Sequence, residues 1–392
     1  MEIDAKNYVI RVHDDPAQID ATAWNALLES QDAPTPFLRH EYLSALHASR
    51  SAVADTGWEP AWLTIEHRSV LRAACAIYLK NHSYGEYVFD WAWADAYQRH
   101  GLDYYPKVLG AVPFTPVPGS RLLAANDAER DLLLAALRAF TGQQGLSSAH
   151  LLFLSDADRD ACARAGWMLR EGVQFHWHNR SPVPYADFDD FTHGLQRDKR
   201  KKITQERRRV VEAGVIYEAL GGDQIDTAAW DFFYRCYALT YRAHHSTPYL
   251  TRAFFTEMAA TMSEHWLMFV ARRGGARIAA SLIALDPAQR VAYGRYWGAI
   301  EHVPCLHFDA CYYRPLAWCI ANGYRRFEGG AQGEHKMARG LLPAKTVSAH
   351  WLADKRFATA IDDFLRREGG GVSSYLDELN ERQPYRRLPD HP

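Results

Sequence analysis

The segment FEGGAQGEHKMARG, residues 327–340, combines ionisable side chains with glycines directly after an apolar strand pattern. Amide formation by acyl transfer needs a base that takes a proton from an amine, and donors that stabilise an oxyanion. Carboxylate and imidazole groups can act as that base, and we predict that Glu328, Glu334 and His335 are catalytic. The residues of this segment that we expect to bind substrate are Gln332, Lys336 and Arg339.

The same segment could also be an ordinary sharp turn, because glycine turns with solvated charges are common. Three glycines that allow close backbone approach, Gly329, Gly330 and Gly333, favour the functional interpretation. The chain contains no GxGxxG or GK[ST] pattern, so a phosphate-cradling loop is not predicted. It also lacks the GxSxG elbow of a serine hydrolase.

A second chemical segment is VAYGRYWGA, residues 291–299, which reads as a strand. Alternation along a strand places Tyr293, Arg295 and Trp297 on one face. The opposite face, with Gly294, Tyr296 and Gly298, is then mostly open. The alternative interpretation is an aromatic core strand.

Four further polar residues are candidates for binding substrate. His176 and His178 share one face of a predicted strand, and His307 and Asp309 lie near the first turn of a predicted helix. Polar packing is the alternative for the histidines, and a helix cap is the alternative for Asp309. No HExxH or CxxC pattern is present, so no metal site is predicted.

Residues 197–210, RDKRKKITQERRRV, contain eight basic and two acidic residues, a net charge of +6 in a chain of −2. Leu195, Ile203 and Val210 follow one seam, which predicts an exposed helix that docks through a narrow apolar stripe. Arg200 and Lys201 are predicted to attract an anionic substrate. A nucleic-acid-binding protein is the competing hypothesis, although no duplex-reading motif accompanies the helix and duplex DNA is not expected.

The length of 392 residues and the hydrophobic fraction of 48% predict two packed domains, which we divide into residues 1–180 and 181–392. The basic helix is predicted at 194–213, in the second. The six cysteines form no CxxC pair and are expected to be free thiols. No signal peptide or membrane-spanning run is recognisable, so we expect a soluble, cytoplasmic protein without a membrane span.

The order of the patterns predicts an α/β (α+β) fold with mixed sheets. In the second half, a helix and a strand precede two helices, a three-strand meander over 266–299, a helix over 306–323 and a strand over 324–330. In the first half, residues 104–123 contain four prolines and are predicted to form an extended loop, not a central strand.

Four stretches resemble the bacterial FemAB-like group of predicted N-acyltransferases and peptidoglycan biosynthesis proteins, within the GCN5-related N-acetyltransferase (GNAT) superfamily. The stretches are LQRDKRKKITQERRRVVEAGVIYE, RRGGARIAASLIAL, VAYGRYWGA and ANGYRRFEGGAQGEHKMARGLLP. The resemblance implies two GNAT-like acyltransferase lobes, each a mixed, splayed sheet flanked by helices. The chain shows neither the Q/R-x-x-G-x-G/A loop that holds coenzyme A nor the long coiled-coil hairpin of some Fem enzymes.

The resemblance implies an N-acyltransferase that moves an acyl or aminoacyl group from an activated donor to an amine. The donor would be acyl-CoA or aminoacyl-tRNA, with no tightly bound cofactor, and the acceptor a small amine or a cell-wall precursor. In the superfamily the strand corresponding to 291–299 borders the acyl carbonyl, so Arg295 is the candidate oxyanion donor and Tyr296 the candidate acid. A noncatalytic acyltransferase-like protein is a further alternative.

Overall fold

A computed structural model describes residues 7–330 and 333–386 of the chain. Within these residues fifteen strands, β1 to β15 in chain order, span Tyr8–His13, Trp58–Pro60, Trp62–His67, Val70–Cys75, Ile77–Lys80, Lys107–Gly110, Leu123–Ala124, Ser148–Leu151, Met168–His178, Val215–Gly221, Trp266–Arg273, Ala276–Asp286, Val291–Ala299, Arg326–Glu328 and Leu342–Leu352. The α-helices, α1 to α12, span Ala21–Glu29, His40–Ala48, Trp91–Arg99, Asp127–Gln143, Asp156–Arg164, Phe188–His193, Arg197–Glu212, Thr227–Ala243, Arg252–Thr261, Leu306–Phe308, Arg314–Ala321 and Lys355–Glu381. A π-helical turn, Asp309–Tyr313, joins α10 to α11.

The chain divides into two structural units. Unit 1 contains residues 1–172, 249–254 and 345–374, and unit 2 contains 173–248, 255–344 and 375–392. The sequence predicted a single domain boundary at residue 180. A single boundary does not account for residues 249–254 and 345–374, which belong to unit 1. Residues 345–374 return because β15 pairs with β8 and because Phe357 of α12 packs against Tyr97, with ring centroids 4.1 Å apart. Residues 249–254 return because the ring of Tyr249 stacks on that of Phe114, with centroids 4.7 Å apart.

Unit 1 contains two runs of paired strands. One is an antiparallel sheet in the order β1-β3-β4-β7, and the other has the order β15-β8-β6-β5-β2. In the second run β6 is parallel to β8, and every other pair is antiparallel. The apolar side chains of α4, including Leu133, Leu134 and Leu137, pack into the core of this unit.

The prediction of an extended loop over residues 104–123 is wrong for its first part. Residues Lys107–Gly110 form β6, an internal strand that is buried along its whole length and pairs on both edges. The prolines at 106, 113, 116 and 118 flank this strand and do not interrupt it. Four residues without proline are therefore sufficient for an internal strand in a proline-rich segment.

Unit 2 has the strand order β10-β11-β12-β13-β14-β9. The first four strands form the predicted antiparallel meander, β14 is parallel to β13, and β9 is antiparallel to β14. Helix α8 packs closely on β13, because a Cβ atom at Gly298 would lie only 2.1 Å from the carbonyl oxygen of Cys236. The predicted mixed α/β architecture is confirmed in both units.

The predicted basic helix is confirmed as α7, which begins at Arg197 and ends at Glu212. Leu195, Ile203 and Val210 are buried, as the apolar seam predicted. Glu206 is also buried on the docked face, which the apolar pattern did not indicate. Among the described helices, none has both the length and the apolar character needed to cross a lipid bilayer.

Candidate functional site

The parallel strands β13 and β14 pair over only three residues and then separate. The last pair is Tyr293 with Glu328; β13 continues to Ala299, whereas β14 ends. A β-bulge lies at Arg295, because β12 pairs with Tyr296 and then with Gly294. A cavity of about 120 Å³ lies here. Its lining includes Gly294, Arg295, Tyr296, Trp297, His307, Cys311, Tyr312 and Gly329.

Glu328 is buried at the end of β14, with 3% of its surface exposed. Its Oε1 lies 3.1 Å from Nε of Arg326, and its Oε2 lies 3.8 Å from Nε2 of His176. Oε2 accepts no hydrogen bond from any described residue. Burial raises the pKa of Glu328 to about 7, against the opposing effect of the nearby cations Arg326 and Arg295. The carboxyl group can therefore exchange a proton near neutral pH.

The two histidines of β9 face the same neighbouring strand. His176 pairs with Glu328 in the sheet register and His178 pairs with Arg326. Burial, assisted by Arg326 and Lys336, lowers the pKa of His176 to about 3, so its imidazole is neutral. Burial also lowers the pKa of His178, although part of this side chain is exposed.

Arg295 and Tyr296 both line the cavity, which strict alternation did not predict. The bulge at Arg295 breaks the alternation, and Nη2 of Arg295 donates a hydrogen bond of 3.1 Å to the hydroxyl of Tyr296. The ring of Tyr296 also packs against Tyr237, with centroids 5.2 Å apart. The predicted opposite faces for these two residues are therefore wrong.

The predicted glycine-rich segment contains a short helical turn, Glu334–Arg339. Nζ of Lys336 donates a 2.9 Å hydrogen bond to the carbonyl of Gly330, and burial lowers the pKa of Lys336 to about 8. His335 lies 3.3 Å from the hydroxyl of Tyr312, through its Nε2, and burial lowers its pKa. Gln332 lies outside the described residues.

Glu334 faces away from this group. It is exposed and accepts a 2.6 Å hydrogen bond from the hydroxyl of Tyr375. The structure thus places Glu328 beside His176, and Gly329, the residue after Glu328, lines the cavity. Glu334 holds the outer side of the turn. The prediction that Glu334 is catalytic receives no support from this position.

One protein-family model matches nearly the whole length of this chain. The family model FemAB-like, described as peptidoglycan biosynthesis and recognition, matches residues 15–387. The chain belongs to the FemAB-like family. No curated protein sequence matches it.

Two solved structures show that the FemAB-like fold extends to distant proteins. FemX is 9% identical, with a TM-score of 0.55 over 88% of this chain and 98% of that one. L-PGS from Bacillus licheniformis is 10% identical, with a TM-score of 0.53 over 90% and 97%. At this identity the likeness shows the fold alone.

Arg339 of this FemAB-like chain is an internal support. Its Nη2 lies 3.1 and 3.0 Å from the two carboxylate oxygens of Glu206, and its Nη1 donates to the carbonyl of His335. Its guanidinium covers the ring of Phe308 at 3.6 Å, and only 2% of the residue is exposed. The predicted contact of Arg339 with substrate is thus replaced by a contact that fixes the turn to α7.

His307 borders two cavities. It lines the first cavity and a second of about 350 Å³, formed by residues 297–308. Burial and the nearby His335 lower the pKa of His307 to about 4, so this imidazole is neutral as well. Its ring centroid lies 5.6 Å from that of Trp297. The two cavities therefore share an aromatic border.

Asp309 does not cap a helix, because the residue before α10 is Cys305 and Asp309 lies in the π-helical turn. Its side chain is completely buried between Arg207 and Arg314, and burial raises its pKa despite these cations. Arg200 and Lys201 lie on α7 without an ion pair to any described residue. Their predicted contact with an anionic substrate remains a prediction.

Sequence reasoning missed Arg326, Glu206 and Arg314. Arg326 had a usable signal, because it lies two residues before Glu328 and so shares its strand face. Glu206 gave no local signal, because its partner Arg339 lies 133 positions away in the chain. Arg314 gave none either, because it follows Asp309 by five positions, which is not a helical i,i+3 or i,i+4 spacing. In residues 7–330 and 333–386, no group of three or more His, Cys, Asp or Glu could hold a metal ion.

Proposed function

We propose that this protein is an N-acyltransferase that moves an acyl or aminoacyl group from an activated donor to an amine. The acceptor we propose is a cell-wall precursor or a small amine. The observation that carries the proposal is the buried Glu328, with one carboxylate oxygen lacking a hydrogen bond, at the open end of a separated parallel strand pair. Membership of a family of peptidoglycan biosynthesis and recognition supports it.

Glu328 is the base in this proposal. At a pH near its pKa, the acceptor amine is partly protonated. Its nitrogen must lose a proton as it attacks the acyl carbonyl. A carboxylate that is buried and has a pKa of about 7 accepts such a proton better than a solvated carboxylate does. Arg326 and the neutral His176 flank the carboxylate and fix its orientation.

Arg295 and Tyr296 serve the acyl group. As the carbon–nitrogen bond forms, the carbonyl oxygen gains negative charge, which the guanidinium of Arg295 stabilises. The bond from the acyl carbon to the donor then breaks, and the departing atom takes a proton from the hydroxyl of Tyr296. The phenolate oxygen keeps the hydrogen bond from Arg295 until solvent returns its proton, and Glu328 releases to solvent the proton that it took from the amine.

Acyl-CoA and aminoacyl-tRNA are the two donors that we propose. Both are anionic, and α7 supplies a local positive field that would raise their concentration near unit 2. The first cavity is small enough to select a short acyl or aminoacyl group, and the second adjoins it through Trp297 and His307. The carrier of the donor would occupy the second cavity.

A donor and acceptor panel tests the proposal. The full-length protein is incubated with acyl-CoA or aminoacyl-tRNA donors and with amine acceptors that include cell-wall precursors, and products are detected by mass spectrometry. We expect one pairing to give an amide product. Glu328→Gln should lower its rate by about 10²- to 10⁴-fold, the typical range for loss of a general base.

Glu378→Gln is the matched control, because Glu378 is an exposed glutamate of the same unit and its ion-pair partner among the described residues is Arg382. This variant should keep the wild-type rate. Amide formation that survives in Glu328→Gln at the rate of the control would refute the role of Glu328. Absence of any amide product across both donor classes would refute the proposed activity.

A further inference from the structure

Arg207 of α7 and Arg314 of α11 share one buried counter-ion. Nε of Arg207 lies 3.8 Å from Oδ1 of Asp309, and Nε of Arg314 lies 3.3 Å from Oδ2. Asp309 is fully buried, whereas 31% of each arginine side chain is exposed. The carboxylate therefore contacts the inner nitrogen of both guanidinium groups, on the side away from solvent.

Aromatic rings hold both guanidinium groups in place. The guanidinium of Arg207 lies 4.5 Å from the ring centroid of Phe188, and that of Arg314 lies 4.5 Å from the centroid of Tyr217. Stacking of this kind restricts a long, flexible side chain before any ligand arrives. The entropy lost on binding is correspondingly smaller.

The outer nitrogens of these arginines remain available. Nη1 and Nη2 of Arg207 and Arg314 form no hydrogen bond with any residue in the described part of the chain. A guanidinium has five N–H donors arranged as a fork, which suits the oxygens of phosphate. Two such forks around one carboxylate are close enough to contact a single phosphate or diphosphate group.

The charges around the pair are of both signs, and the exposed Asp189 is the one that an incoming anion would have to avoid. Burial and the like charge of Arg314 both oppose the charge of Arg207, while Asp309 and the exposed Asp189 favour it. Arg200 lies two helical turns before Arg207 on the same face of α7 and has no ion pair with a described residue. An anion would relieve the repulsion between the two arginines.

We propose that Arg207 and Arg314 form a binding site for a phosphate or diphosphate group. Asp309 is then a positioning residue that orients both guanidinium groups and does not contact the ligand. The site does not depend on acyl transfer, so its test uses binding alone. Its ligand group could belong to a phosphate-bearing acyl donor or to a nucleotide-linked acceptor.

Calorimetric titration of inorganic pyrophosphate into the full-length protein at low ionic strength tests the site. We expect saturable binding with one ligand for each chain. Arg207→Gln and Arg314→Gln should each weaken it by about 10-fold or more, because each removes a charge-assisted, two-pronged contact. Arg208→Gln removes the same charge from an exposed position of the same helix and should weaken it by less than about 3-fold.

The proposal would be overturned if pyrophosphate did not bind saturably to the wild-type protein. It would also be overturned if Arg208→Gln lost as much affinity for pyrophosphate as Arg207→Gln and Arg314→Gln do. Arg207→Lys guards against misfolding, because lysine keeps the charge without the fork. It should unfold at the wild-type temperature and still bind weakly. Wild-type affinity in this variant would show that charge alone suffices, against the proposed site.

Competition distinguishes the two sources of the phosphate group. Displacement of pyrophosphate by coenzyme A would assign the site to the acyl donor. Displacement by uridine diphosphate, which lacks the adenine of coenzyme A, would assign it to a nucleotide-linked acceptor. Failure of both compounds to displace pyrophosphate would contradict a substrate-binding role for the site.

Discussion

The two units contain the same arrangement of three strands, but the ionisable side chains on those strands differ. In unit 1, β8 lies between its parallel neighbour β6 and its antiparallel neighbour β15; in unit 2, β14 lies between β13 and β9 in the same way. The middle strand pairs an ionisable residue with a histidine of the third strand in both units. These pairs are His150 with His350, and Glu328 with His176.

The surroundings of the two pairs differ in how far hydrogen bonds extend. In unit 1, His150 contacts His350 at 2.7 Å and the hydroxyl of Tyr104 at 3.1 Å, and Tyr104 donates to Asp90. Lys107 donates to Asp90 and to Glu86. In unit 2, Oε2 of Glu328 accepts no hydrogen bond from a described residue, and its Oε1 lies 3.1 Å from Nε of Arg326.

The difference appears in the acidity of the carboxyl groups. Burial alone would raise the pKa of Asp90, but Lys107 holds it well below the usual range. Burial raises the pKa of Glu328 to about 7, although Arg326, His178 and Arg295 oppose the rise. Burial also raises the pKa of Glu86 to about 7, even though Lys107 opposes it, so the contrast between the units concerns Asp90 and Glu328.

The largest expected effect compares the two buried lysines. Lys107→Met leaves Asp90 and Glu86 buried without their cation and should lower the free energy of unfolding by about 3 to 5 kcal/mol. Lys336→Met loses one hydrogen bond to a carbonyl and should cost about 1 kcal/mol. Denaturant unfolding measures both. Equal losses of unfolding free energy in the two variants would mean that the network around Lys107 is not more tightly coupled than the contacts of Lys336.

Acid should destabilise the protein through its buried histidines. The folded pKa of His150 and of His176 is about 3, whereas an unfolded histidine has a pKa of about 6.5. The unfolded chain therefore binds protons first as the pH falls. Stability present above about pH 6.5 is lost toward pH 3, by about 1.4 kcal/mol per pH unit for each group. Denaturant unfolding across this range measures the slope.

His150→Gln should reduce that slope in proportion to one lost group, provided that it folds at pH 7. Glu328 acts in the opposite direction, because its folded pKa is raised. Its contribution is present below about pH 4.3 and is lost as the pH rises through 7. Glu328→Gln should therefore be more stable than the wild type at pH 8. A less stable variant at that pH would argue against a raised pKa.

A smaller effect compares two glycines next to the parallel pairs. A Cβ atom at Gly110 would lie 2.3 Å from Cδ2 of Leu151, so Gly110→Ala should cost about 1 to 3 kcal/mol of stability. At Gly294 the nearest atom is Cζ of Phe327, at 3.1 Å. Gly294→Ala should lose less stability but narrow the first cavity, and we expect about a 10-fold lower kcat/KM.

Thermal unfolding and rate measurements on the same two preparations separate these outcomes. Unchanged kcat/KM in Gly294→Ala would remove the first cavity from the path of the acyl group. An undisturbed melting temperature in Gly110→Ala would show that Leu151 moves aside without cost.

The sequence predicted most of the secondary structure, and it selected Glu328, whose catalytic role stays a prediction. Glu328 was identifiable because a carboxylate at the end of a strand before glycines is an unusual local pattern. The bulge at Arg295 and the internal strand at Lys107 were not identifiable, because both depend on which strand lies alongside. The pairing of Arg339 with Glu206 likewise joins segments far apart in the chain, and no local periodicity encodes such a contact.

The smallest predicted effect concerns the outer side of the site. Tyr375→Phe removes the hydrogen bond to Glu334 and should cost about 1 kcal/mol or less. Amide hydrogen exchange should become faster in residues 334–339 and stay unchanged in β6. Tyr385→Phe, which removes the hydrogen bond to the carbonyl of Gly340, is the comparison at the other end of the turn. Unchanged exchange in Tyr375→Phe would show that Glu334 does not anchor the turn.

We infer that burial of Glu328, whose Oε2 has no hydrogen-bond donor among the described residues, gives its carboxyl group a proton affinity suited to catalysis. An infrared titration tests it without any substrate, by following the protonated-carboxyl band in the difference between the wild type and Glu328→Gln. The account predicts that this difference band disappears with a midpoint near pH 7. A midpoint at the ordinary glutamate value of about 4.3 would contradict it.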